Sequence, residues 1–186
     1  MTESHPTDAP GVVSPRRREQ WRAHYAMQAI SRLPQRLQDT KTVEAYVRRA
    51  QSLPAMIQNM GLAGTIAFLL AKDGDSTKSE AQKPDKRLAL DLSEWLLADE
   101  AGIGWTTHAI SASRGQGVEG QLGAAISHKT TSALTYRRAA TEAKHYANWL
   151  KRWSRAAGGT GQTADDAVND ATSETDVAIT NTIAGQ

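Results

Sequence analysis

Cysteine is absent from this 186-residue chain. Its absence excludes disulfides, thiolate metal ligands and a cysteine nucleophile. Aromatic residues are few, and Phe68 is the only phenylalanine beside four tyrosines and five tryptophans. Runs of β-branched residues are scarce, while alanine and other helix formers dominate. That balance predicts an all-α fold, a compact bundle of about five to six helices. Long apolar runs are missing too. The longest, Met60 to Ala71, holds twelve residues, short of the roughly 20 that cross a bilayer. The first fifteen residues are polar, contain three prolines and carry no apolar core, so no secretory signal is expected. A cytoplasmic protein with no membrane contact is the expectation.

Charge is present but unevenly placed. The formal net charge is +2. From Gly158 to Gln186 there are five acids and no lysine or arginine. The remainder holds 22 basic against 15 acidic residues, about +7. A body of that charge suits an anionic partner such as nucleic acid, although a solvated surface also explains it.

The apolar spacing predicts the helices. Ser14 is a candidate cap with Pro15 at the first helical position. Trp21, Tyr25, Ala29 and Leu33 share one face before Pro34 interrupts. A second helix starts near Thr42 with Val43, Tyr46, Val47 and Ala50 as its stripe, and Pro54 is expected to break it. A third runs from Pro54 to Lys72. Only Thr65 is polar between Met60 and Ala71, which reads as a central core helix. Gly61 and Gly64 leave room there for close helix approach or a bend. Residues 73–84 read as an exposed loop. Leu88, Leu92, Trp95 and Leu96 define a fourth helix with Asp85 as a candidate cap, ending at Gly102 and Gly104. A short helix is expected over 118–127 and a long one over 131–157, whose seam is Ala139, Ala143, Tyr146, Leu150 and Trp153.

Few residues stand in patterns that carry chemistry. Residues Gly115 to Gly120 fit a dinucleotide-binding glycine pattern. No strand leads into them, so they read as a loop. Gly61-Leu62-Ala63-Gly64 has the spacing of a GxxG RNA clamp but lies in the most apolar stretch, where core packing is expected. The five histidines are scattered without carboxylates at metal-binding spacing, so no metal site and no cofactor are expected. What remains are basic residues, clustered at Arg16, Arg17, Arg18 and Arg22 and again along the long helix.

Two stretches resemble a known family. Leu53-Pro54-Ala55-Met56-Ile57-Gln58-Asn59-Met60-Gly61-Leu62 with its apolar continuation through Ala67-Phe68 to Lys72 looks like the signature of the Cmr small subunit. Thr141-Glu142-Ala143-Lys144-His145-Tyr146 to Trp149-Leu150-Lys151-Arg152-Trp153 resembles that family's C-terminal helix. They stand in the family's order in a chain of fitting size. The long N-terminal arm and the acidic tail depart from the pattern. The resemblance implies a non-enzymatic, α-helical small subunit of a type III-B CRISPR effector complex in antiviral defence. It implies stacking of copies as a filament against the backbone subunits and the large polymerase-type subunit, beside paired guide RNA and target RNA. The resemblance organises a helical domain over 16–157, while composition alone reads residues 1–15 as a disordered N-terminal arm and 158–186 as an acidic, disordered tail. The tail is read as a solubilising segment, with an acidic mimic of RNA as the other reading. The RNA-binding residues expected are the basics in or beside the matched stretches: Lys72, Lys151, Arg152, Arg48 and Arg49. The alternative function is a helical DNA-binding regulator, which needs a polar recognition helix after a tight turn.

Overall fold

A computed structural model describes residues 14–37, 39–71, 83–106, 111 and 117–158. Of the expected arm over 1–15, loop over 73–84 and tail over 158–186, residues 1–13, 73–82 and 159–186 fall outside them, while Pro15, Pro84 and Gly158 lie in helices. Six α-helices and one 3₁₀ turn make up the described chain, with no strand among the described residues: α1 Pro15–Ser31, α2 Leu33–Leu37, α3 Thr40–Ala71, α4 Pro84–Leu97, the turn Asp99–Ala101, α5 Val118–Ser127 and α6 Ala133–Gly158. The all-α bundle expected from composition is the fold observed.

Helix α1 begins as its sequence predicts. Ser14 is extended, its hydroxyl accepts from the Arg17 amide at 3.4 Å, and Pro15 opens the helix. The buried face, however, is Arg22, Ala26, Ala29 and Ile30. Of the expected stripe, Ala29 and Leu33 are buried and Tyr25 packs against the core, but Trp21 is 38% exposed. Arg22 displaces it because a buried carboxylate awaits the guanidinium: Glu142 accepts from Nε at 2.7 Å and from Nη2 at 2.9 Å.

Two breakers in α3 behave differently. Pro54, expected to end a helix, lies inside one. The proline removes one backbone hydrogen bond. Ala50, Leu53 and Ile57 around it are all buried on one face, and that packing carries the helix through. The interruption falls at Gly61, with φ 72° and ψ 171°, a conformation nearly confined to glycine. Four residues on, the Thr65 hydroxyl donates to the Gly61 carbonyl at 2.8 Å, which lets this one polar residue of the apolar run be fully buried.

Beyond Gly61 the helix is one-sided rather than a core helix on every face. Leu62, Thr65, Ile66 and Leu69 are buried, while Met60, Ala63, Ala67 and Phe68 are exposed. By length and composition α3 could cross a membrane, the one such helix among the described residues. The apolar run alone is too short to cross, but the helix that contains it spans 32 residues.

In α4, Asp85 does not cap. Lys83 holds the cap position with no side-chain capping bond to the helix, Pro84 follows, and Asp85 accepts from Arg49 Nε at 2.7 Å. Gly102 closes the 3₁₀ turn in the left-handed region. Helix α5 spans the expected residues, and Gly120 lies inside it rather than in a loop.

The core fills between α3 and α6, with α1 and α4 packed alongside. Ala139, Ala143, Tyr146 and Leu150 are buried along α6, and Trp153 packs against the same core. Trp95 is its largest fully buried side chain, stacked on Tyr146 with ring centroids 5.7 Å apart. The polar end of Trp95 is satisfied by Glu142, which accepts from its Nε1 at 3.1 Å.

Candidate nucleic-acid interface

A basic side chain can reach a phosphate only if the fold leaves it at the surface. Two of the arginines are not left there. Arg22 is bound to Glu142 and also to Glu19. Arg87 is buried on Asp91 through Nε at 3.0 Å and a closer Nη2 contact, and Nη2 also reaches Glu94 at 3.0 Å. Tyr46 donates to the other Asp91 oxygen at 2.7 Å, and Arg36 reaches Asp91 at 3.3 Å.

Burial raises the Asp91 pKa above the ordinary carboxylate value. The bonds from Arg87 and Tyr46 oppose that rise without cancelling it. Burial would lower the Arg87 pKa, but Asp91 and Glu94 overcome it and raise it. Burial, then Asp91, hold the Tyr46 phenol well above its usual value, so it stays a donor.

The five residues expected to contact RNA fall in different surroundings. Arg48 is exposed on α3. Its neighbour Arg49 is half-buried, paired with Asp85 and placed 5.4 Å over the exposed Phe68 ring. Lys151 is half-buried on α6. Arg152 is exposed and lies 4.9 Å over the Trp149 ring. Lys72 lies outside the described residues. The structure joins Arg48 and Arg49 on one helix and Lys151 and Arg152 on another.

Arg48, Arg49, Lys151 and Arg152 line neither of two clefts found among the described residues. The smaller cleft, about 60 Å³, borders Asp91 and Glu94. The larger, about 250 Å³, lies between α1, the 3₁₀ turn and α6 and gathers Arg18, Arg137 and Arg138 with Thr141. Only the spacing of Arg137, Arg138 and Thr141 on one helix hints at this grouping in sequence. Among the described residues no set of three His, Asp or Glu side chains is placed to hold a metal ion.

The geometry defines a small all-helical protein whose interior consumes some of its arginines and whose surface keeps others. Residues 18–157 match the family described as CRISPR-associated protein (Cas_Cmr5), and the chain belongs to that family. It is therefore a CRISPR-associated subunit of the Cmr type. No curated protein and no solved structure matches it.

Proposed function

We propose that this chain is the non-catalytic small subunit of a type III-B RNA-targeting effector complex in the cytoplasm. Copies stack as a filament beside the backbone subunits and the large polymerase-type subunit. Basic side chains on the outer helices hold the backbone of the guide–target duplex, and the guide supplies the sequence specificity. Nuclease chemistry belongs to other subunits.

The family match over 18–157 carries this reading, because it spans both resemblance stretches and nearly all the described helices. The exposed guanidiniums of Arg48 and Arg152 support the nucleic-acid part. Apolar side chains left in solvent support the assembly part: Met60 is 44% exposed, Phe68 38% and Leu134 54%.

Two measurements test the reading. A tagged copy purified from its host should bring down the other effector subunits and small guide RNAs. Charge reversal at Lys151 and Arg152 should weaken target-RNA binding by the assembled complex. It should also flatten the salt dependence by about 0.7–0.9 for each phosphate no longer neutralised. Purification without companion subunits or guide RNA sinks the assembly role. Unchanged affinity and salt slope remove these two residues from the interface.

A further inference from the structure

The cleft between α1, the 3₁₀ turn and α6 is built differently from the rest of the basic surface. Arg18 reaches it from the first turn of α1. A Cβ added at Gly102 would lie 2.9 Å from Arg18 Nη2 and 3.3 Å from Cζ, so the guanidinium lies where a side chain would otherwise be. Gly102 has φ 64°, a left-handed conformation that glycine adopts freely. The missing side chain therefore both closes the turn and seats the arginine.

Helix α6 supplies the other cations. Arg137 and Thr141 stand one turn apart, and both line the cleft with Arg138. Arg137 and Arg138 are exposed, and no described carboxylate pairs with either. Glu142 is the one acid in the lining, and Arg22 already neutralises it with two bonds. Ala101 and Ile103 close the remaining wall with buried apolar side chains.

Guanidiniums offer several donors in a fixed fork that matches phosphate oxygens, and a threonine hydroxyl adds one more. The cleft is about 250 Å³, below the range of about 300–1,000 Å³ usual for whole small-molecule ligands. That volume suits one phosphate group and the edge of its sugar rather than an entire cofactor.

We propose that Arg18, Arg137, Arg138 and Thr141 form a clamp for a single internal phosphodiester of an RNA strand. The clamp rests on the nucleic-acid role proposed above and names a contact site apart from Lys72, Lys151, Arg152, Arg48 and Arg49. Its signature is non-additivity. Cations spread over a surface each neutralise a separate phosphate. Cations of one clamp share a phosphate, so removing one or two of them abolishes the same interaction.

The test uses the purified full chain and labelled single-stranded RNA, with and without a 5′-phosphate, followed by anisotropy over a salt series. Arg137→Gln and Arg138→Gln are compared singly and together, beside the double variant Arg48→Gln/Arg152→Gln. Each cleft variant should weaken binding roughly tenfold at low salt and reduce the salt slope by about 0.7. The double cleft variant should lower the slope no further than either single one, with an unchanged melting temperature. RNAs with and without the terminal phosphate should bind alike.

A slope that falls by about 0.7 for each arginine removed overturns the clamp in favour of a diffuse patch. Binding that requires the 5′-phosphate overturns the internal-phosphodiester assignment. If only the Arg48/Arg152 variant weakens binding, the clamp fails and the nucleic-acid role stands. If neither set matters, or the wild-type chain binds no RNA at low salt, both fail.

Discussion

Arg22 and Arg87 occupy the interior, while Arg48, Arg137, Arg138 and Arg152 occupy the surface. The two sets carry the same group with the same charge. The buried pair are each held by a carboxylate that is itself buried, Glu142 and Asp91. The exposed four meet solvent. A buried ion has lost its water, so its partner is obligatory. An exposed ion keeps its water and is available to an anionic strand. Fewer basic side chains are thus available to a partner than the count suggests, while the excess is unchanged because each buried pair removes one charge of each sign.

Glu142 gives the largest effect that could break this contrast. Its carboxylate accepts two bonds from Arg22 and one from Trp95. Glu142→Gln leaves the Arg22 guanidinium inside without a buried counter-charge. The expected loss is about 3–5 kcal/mol of unfolding free energy, read by urea titration. A loss below about 1 kcal/mol would place Arg22 with the surface arginines.

Gly61 sharpens the contrast at the level of the backbone, because α3 breaks there, between the exposed Met60 and the buried Leu62. An added Cβ would lie 3.5 Å from the Tyr136 hydroxyl, an ordinary contact. The obstacle to Gly61→Ala is therefore conformation rather than space. We expect it to cost about 1–3 kcal/mol. A neutral Gly61→Ala in thermal melts would mean that α3 straightens at little cost.

Asp91 tests the interior by pH. Burial raises its folded pKa above the ordinary carboxylate value. Between those two values the folded chain keeps a proton that the unfolded chain has released. That stabilisation is complete below the ordinary value and disappears as pH rises through the folded one. Unfolding free energy should therefore decline in that window, starting near pH 4. Asp91→Asn should remove the decline while its amide oxygen still accepts from the Tyr46 hydroxyl. A wild-type profile that rises through the window would mean that Arg87 and Tyr46 outweigh burial.

Much of the fold was legible because it rests on local rules. Ser14 and Pro15 mark the start of α1, and the α6 seam follows from its own period. The misses came from distant partners. Arg22 faces inward because of Glu142, 120 residues away, and no helical period can show that. Pro54 stays helical because its flanking residues find a core, and Asp85 binds Arg49 instead of capping α4. The candidate site was less legible for the same reason. Arg18, Gly102 and Arg137 belong to three separate elements and meet only in the folded chain. The family's stretches, by contrast, were visible because each is continuous in sequence.

Arg48 and Arg152 give the smallest effects on stability. Arg152 rests 4.9 Å over Trp149, a contact worth about 0.5–1 kcal/mol at an exposed site. Arg152→Gln should lower stability by no more than that, and Arg48→Gln should leave the melting temperature unchanged. Both should still weaken RNA binding and flatten its salt slope. The contrast then becomes a crossed pair of measurements: Glu142→Gln moves the melt, and Arg48→Gln moves the salt slope. If Arg48→Gln moved the melt instead, the exposed arginines would also be parts of the fold, and the RNA contacts would have to be sought elsewhere on the surface.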